Sequence, residues 1–379
     1  MRPSWMMAAS FVACLAAGFL GEANAQDKSK DKEGLATFHI GNSLTNTTAK
    51  FPDFVRTAGI AHKYQSFTAG GHLTWQLWDN QLPKRQKEWD AKLASYKRID
   101  HFTVQPRDFT KNSVDHEAEY AIKFFDVIRK HSPDMQPWFY AEWVEKNRGR
   151  PTDQGKIPSR QMKQTYPALS WEESMSAMLL YNEDLQAKVV ETYKEGKRPR
   201  VLPSCIAMGW IKNMIDQGKL PGAEKDSLYP LLFSDGVHPN VKGGYLVDLT
   251  WYAAFYRESP EGKMLPTGTG LTAEQAEVMQ KLAWDVVKNY PDCGLYEEGT
   301  TPVAAPEFVA AGKTLTLTSK TPGAWFRYTL DGTPPTRTRG YVYCGMIHMP
   351  VGATLKAIAY KSGMADSTIA EMAAAKTPK

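Results

Sequence analysis

Ser43 stands in Gly41-Asn42-Ser43-Leu44, directly after the apolar run Phe38-His39-Ile40. A serine hydroxyl is a weak nucleophile until a base takes its proton, and the backbone N–H groups at a helix start are natural donors to a developing oxyanion. An N-cap or turn serine has the same local look, so the segment needs a base from elsewhere in the chain. Asp235-Gly236-Val237-His238-Pro239 supplies one. A carboxylate three residues before an imidazole can orient the ring and stabilise its cation, which is the work of the third group in a nucleophile–base–acid triad. Taken alone, the Asp-x-x-His pair reads as a loop hydrogen bond. A metal reading needs further ligands at matching spacing, and none stands nearby.

These segments must be brought together by whatever lies between them. Ala36 to Ile40 reads as a buried strand ending at Gly41, and Phe51 to Ala58 as a helix, so Gly41 to Thr48 is a strand-to-helix connection. Ile99 to Val104, Trp138 to Trp143 and Arg200 to Ala207 read as further strands. Glu117 to Lys130, Trp171 to Tyr193, Asp248 to Phe255 and Ala273 to Asn289 carry helical apolar spacing. Alternation of this kind predicts an α/β fold, a parallel sheet covered on both faces. In such sheets sites form outside the carboxyl ends of the strands. Past Pro291 the texture changes to short turn-separated alternating runs, Thr314 to Leu317, Trp325 to Leu330, Gly340 to Ile347 and Ala353 to Tyr360, an all-β pattern.

Gly41-Asn42-Ser43-Leu44 and Asp235-x-x-His238-Pro239, in this order and at the two ends of the α/β region, resemble the SGNH/GDSL hydrolase superfamily of serine esterases. The resemblance spans roughly Ala36 to Arg257. It implies a flavodoxin-like three-layer fold, with Ser43 as nucleophile and Asp235 and His238 completing the triad. It also implies an oxyanion hole made by the N–H groups of Ser43 and Gly71, the latter in Ala69-Gly70-Gly71-His72. The third donor would be Gln105 in Val104-Gln105-Pro106-Arg107-Asp108, where Gln replaces the family's usual Asn with the same amide on a longer arm. Trp138, Trp143, Trp171 and Trp210 read either as core or as sugar-stacking faces, and His39, His72 and His101 as structural.

A second resemblance lies further on. Tyr328-Thr329-Leu330-Asp331-Gly332-Thr333-Pro334-Pro335 and the later Ala353 to Ala359 resemble the small Ig-like β-sandwich at the C-terminus of chitobiases and β-hexosaminidases. Asp331-Gly332 is a hairpin-type turn. This module has two readings, packing or spacer on one side and carbohydrate contact on the other.

The chain of 379 residues, 42% hydrophobic and 23% charged, suits about two globular domains. A net charge of +5 spread through mixed signs gives no nucleic-acid patch. Arg2, the apolar Met6 to Leu20 and Ala23-Asn24-Ala25 make a signal peptide over 1–25, which predicts an exported protein, periplasmic or extracellular, with no membrane segment once it is removed. Cys14 lacks the Leu expected three residues before a lipid-anchor cysteine. The expected divisions are a linker at 26–34, the hydrolase at 35–299, the β-sandwich at 300–372 and a tail at 373–379. Cys205, Cys293 and Cys344 then allow at most one disulfide, and Cys293 with Cys344 would join the two regions.

The expected chemistry is cofactor-free and metal-free hydrolysis of an ester, with O-acyl groups, acetyl above all, on a carbohydrate as the favoured substrate. A lipase or thioesterase and a catalytically silent carbohydrate-binding surface protein remain as rivals.

Overall fold

The computed structural model describes residues 31–107, 109, 111–146 and 159–373. The expected signal peptide, Cys14 and residues 374–379 lie outside the described residues. Strands β1 (Lys32–Gly41), β2 (Ile60–Thr68), β3 (His101–Val104), β4 (Gln136–Tyr140) and β5 (Arg200–Leu202) form one parallel sheet in the order β2-β1-β3-β4-β5. This is the flavodoxin-like order. Helices α1 (Phe51–Arg56), α2 (Gln86–Ala94), α3 (Val114–His131), α4 (Trp171–Thr192), α5 (Ser204–Asp216), α6 (Val241–Tyr256) and α7 (Ala273–Asn289) accompany it.

Register sets the site. Gly41 pairs with Thr68 and Ile40 with Val104, so β1, β2 and β3 end at one level and deliver Ser43, Gly71 and Gln105 to the same rim. Phe38, Ile40, Phe102, Val104, Trp138 and Phe139 are fully buried, as expected of strands covered on both faces.

Three boundaries differ from the sequence reading. Strand β1 begins at Lys32, inside the expected 26–34 linker, with Lys32 N–H donating to Gly59 O at 2.9 Å; these outer residues are exposed, so hydrophobicity does not mark them. Cys205 to Ala207, read as strand, opens helix α5. A helix buried on most of its faces carries a run of apolar residues that looks the same as a central strand. Ala373, read as tail, pairs with Thr354.

Beyond α7 the chain is β throughout. Strands β6 (Glu298–Pro302), β7 (Glu307–Ala311), β8 (Thr314–Thr318), β9 (Trp325–Thr329), β10 (Tyr341–Val342), β11 (Ile347–His348), β12 (Thr354–Tyr360), β13 (Met364–Ala365) and β14 (Ala370–Ala373) form sheets ordered β10-β9-β12-β14, β11-β8-β7 and β13-β6. Strand β6 crosses the expected boundary between the hydrolase at 35–299 and the β-sandwich at 300–372, and pairs with β13.

This β region is seated on α4 and α5. Ser176 Oγ donates to Val342 O at 2.6 Å and Asn213 Nδ2 to Cys344 O at 2.6 Å. In the turn, Asp331 Oδ1 accepts from Thr333 N at 3.0 Å, while its Oδ2 accepts from Lys163 N at 2.6 Å. Cys205, Cys293 and Cys344 are all free and buried, so the Cys293–Cys344 bridge is not made, and burial pushes each thiol up. No described helix is long and apolar enough to cross a membrane.

Candidate active site

His238 Nε2 lies 2.8 Å from Ser43 Oγ, and His238 Nδ1 lies 2.7 Å from Asp235 Oδ2. The structure therefore brings together the three side chains from the two ends of the α/β region. The Asp235–His238 segment is a tight loop whose shape follows from its own residues. Asp235 Oδ1 accepts from Val237 N and His238 N, both at 2.7 Å, and Ser234 N donates to His238 O at 2.8 Å. The His238 backbone N–H, then its ring, then the Val237 N–H hold the Asp235 carboxyl down at about 2. It stays an anion throughout the range in which an imidazole works as a base.

Neighbouring segments clamp this loop from two sides. Trp143 Nε1 donates to Val237 O at 2.7 Å and Lys146 N to Gly236 O at 2.8 Å. Behind it, Asn240 caps α6, accepting from Lys242 N at 2.9 Å and Gly243 N at 3.2 Å. Gly243 leaves room for the Leu232 carbonyl, which a Cβ there would strike.

On the nucleophile side the chain turns from β1 through Asn42 and Ser43 into a 3₁₀ turn, Thr45–Thr48. Its N–H groups have fixed destinations. Asn42 N donates to Gln105 Oε1 at 3.0 Å, Leu44 N to Asn42 Oδ1 at 2.9 Å and Thr45 N to Gln105 Oε1 at 3.1 Å. Among the described residues the Ser43 N–H has no acceptor. Gly71, at φ +69°, lines the same cleft, and its N–H likewise has no acceptor among the described residues.

Gln105 does a different job from the one expected. Its Oε1 accepts from Asn42 N, Thr45 N and Thr45 Oγ1, the last at 2.5 Å, and its Nε2 donates to the buried Glu142. The side chain is 2% exposed and does not line the cleft. The longer arm carries the amide under the nucleophile loop, where it braces the turn. A Cβ at Gly41 would collide with both Thr45 Oγ1 and Gln105 Oε1, which accounts for glycine at the strand end.

The cleft encloses about 400 Å³, with Ser43, Gly71, Arg107, Lys111, Trp143 and His238 among its walls. Glu142 and Glu145 also line it. Sequence reasoning missed Glu142 and Arg107 as cleft residues; their positions just past the carboxyl ends of β4 and β3 are the signal that marks them. Of the other aromatics, Trp138 is fully buried and Trp171 and Trp210 pack in the core. His39 and His101 are bonded inside, to Thr37, Thr103 and Trp138, and His72 contacts the Gly70 carbonyl and Gln81.

Comparison with known proteins divides the chain in the same place. Residues 304–371 match the chitobiase/beta-hexosaminidase C-terminal domain. The rest is similar to solved structures alone. One, described as an SGNH hydrolase from Slackia heliotrinireducens, is 16% identical over 57% of this chain and 96% of that one, with a TM-score of 0.36. A GDSL-like lipase structure from Parabacteroides merdae is 12% identical over 60% and 98%, TM-score 0.38. A member of the lipolytic G-D-S-L family from Veillonella parvula is 12% identical over 58% and 96%, TM-score 0.32. Among proteins of curated function, none matches the sequence.

No described group of His, Cys, Asp or Glu is arranged to hold a metal ion. What the side chains in place can do is acyl transfer: a serine with a base on its hydroxyl, an anion behind the base, and backbone donors beside the nucleophile.

Proposed function

We propose that this protein is an exported serine ester hydrolase that removes O-acyl groups, acetyl in particular, from a carbohydrate. The observation that carries the reading is the linear relay from Asp235 Oδ2 through the His238 ring to Ser43 Oγ, at 2.7 and 2.8 Å. His238 Nε2 takes the Ser43 proton as the oxygen attacks the acyl carbon. Asp235 stabilises the imidazolium, and the N–H groups of Ser43 and Gly71 receive the oxyanion. The imidazolium then gives its proton to the departing alkoxide, and water repeats the sequence on the acyl-enzyme.

The carbohydrate part of the reading is supported by the match of 304–371 to a domain named for chitobiases and hexosaminidases and by a cleft rich in hydrogen-bonding side chains. Arg107, Lys111, Glu142 and Glu145 in its walls suit a hydroxylated substrate better than the long acyl chain a lipase or thioesterase would require. Export rests on the N-terminal signal.

Hydrolysis of acetyl and long-chain p-nitrophenyl esters, and acetate release from acetylated polysaccharides, test this reading in the parent chain and in Ser43→Ala. The expected result is acetate turnover that vanishes in the variant, with little activity on long chains. Glycan binding without turnover by the parent would establish the catalytically silent rival.

A further inference from the structure

With Gln105 withdrawn, the cleft keeps a different donor two residues further along the same strand exit. Arg107 lines the cleft with Ser43 and Gly71, and its Nη1 donates to the Gly71 carbonyl. That bond ties the guanidinium to the Gly71 loop, which lines the same cleft as Ser43. Among the described residues Arg107 makes no ion pair, whereas twenty-two residues lower in the chain Arg85 is paired with Glu88 at 2.8 Å and twenty-two higher Arg129 with Asp126 at 3.2 Å. Among the described residues its positive charge is thus held by a neutral carbonyl and not by an acid.

Resting on the esterase reading above, we propose that Arg107 is a catalytic residue whose guanidinium completes the oxyanion hole, taking the part expected of Gln105. As the Ser43 Oγ–carbon bond forms, the carbonyl π pair moves onto oxygen and the serine proton moves to His238 Nε2. Arg107 keeps its own proton and meets the new negative charge with a charge-assisted N–H, a stronger donor than the neutral amide it replaces. A guanidinium is always charged and presents several donors in one plane, so it can hold Gly71 O and an oxyanion at once. Lys111 is the other Lys or Arg among the described residues that line the cleft, but it stands exposed, and among the described residues its ammonium has no anchoring bond.

The test is steady-state hydrolysis of p-nitrophenyl acetate, a neutral ester, by the full chain and by Arg107→Ala and Arg107→Lys, each checked for parental melting. In Arg107→Ala, kcat should fall about 10²–10³-fold, the loss typical of an oxyanion-hole donor, with KM little changed. Added guanidinium ion at sub-denaturing concentration should restore rate, and urea, planar but neutral, should not. Arg107→Lys, which keeps charge and can still reach Gly71 O, should retain most of kcat even if the alanine variant misfolds. Equal rescue by urea would reduce Arg107 to a brace for Gly71 and overturn the proposal. So would an unchanged kcat on the neutral ester together with a raised KM confined to esters bearing a carboxylate, which would make Arg107 a substrate-anion clamp. Ser43→Ala assayed alongside separates the two levels: loss of activity there with an unaffected Arg107→Ala sinks this inference alone, whereas activity that survives Ser43→Ala sinks the esterase reading beneath it.

Discussion

Arg327 of β9 grips Glu183 of α4 at two points, Nη1 to Oε2 at 3.0 Å and Nη2 to Oε1 at 2.6 Å, with side chains 2% and 10% exposed. Tyr290 Oη and Gln161 Nε2 also donate to the same carboxylate, at 2.9 and 3.1 Å, and Arg327 Nη1 donates to Gly340 O at 2.7 Å. The pair joins the β region to the α/β region, and both residues line a cavity together with Gln186, Tyr290 and Thr338. A tethered spacer has no need of such a contact; a region that folds against its neighbour does.

Removing one partner strands the other. Arg327→Met leaves the Glu183 charge buried without its counter-ion, and stability should drop by about 3–5 kcal/mol. Arg327→Met with Glu183→Met should recover most of that loss, because replacing a whole buried pair by packed apolar groups is close to neutral. Urea unfolding of the single and double variants reads both numbers. Additive losses in the double variant would mean the pairing does not couple the two regions.

Gln105 carries the second prediction. Gln105→Met keeps the volume but leaves Asn42 N, Thr45 N and Thr45 Oγ1 without their acceptor. Each abandoned donor costs about 1–3 kcal/mol where it stays dry. The expected outcome is a destabilised chain whose kcat falls because the turn carrying Ser43 is no longer braced. Gln105→Glu retains an acceptor oxygen but sets a carboxylate against Glu142, so its stability should rise as pH falls and the two acids share a proton. Melting temperatures across pH distinguish the two variants.

How much of this was legible in the sequence depended on whether the determining contacts were local. The Asp235–His238 geometry is written in a spacing of three, since one carboxylate reaches the Val237 and His238 N–H groups and the ring together. The sheet order follows from strand–helix alternation, and the Asp331-Gly332 turn from its residue types, with Gly332 at φ +74°. Gln105 was readable as a strand-exit amide, but whether that amide faces the cleft or the core is decided by Thr45 and Glu142, remote in sequence. The Glu183–Arg327 contact was invisible for the same reason, and α5 because a helix buried nearly all round has no polar face to announce its period.

Buried histidines behind the sheet carry the last prediction. His39 and His62 share the Thr37 hydroxyl, at 2.6 and 3.0 Å, and His62 Nδ1 meets Tyr256 Oη at 2.7 Å. Burial, reinforced by the neighbouring histidines, drives His39 well below the ordinary imidazole value and His62 down to about 3, and burial lowers His101 to about 4. A group whose folded value is depressed binds its proton in the unfolded chain first, so its stabilising contribution is whole above about pH 6.5 and is lost as pH falls from there toward the folded value. Glu117, raised to about 7 by burial, and Asp184, raised to about 6, act with the opposite sign, so the parent's net slope mixes both. The difference between parent and His62→Gln isolates the histidine. The variant should be less stable near pH 7, and the gap should shrink by about 2 kcal/mol by pH 5, because only the parent has an imidazole at 62 for the unfolded state to protonate. Urea midpoints of the two proteins across this range check it; a gap independent of pH would mean that His62 binds its proton equally well in the folded and unfolded chains and would overturn the prediction.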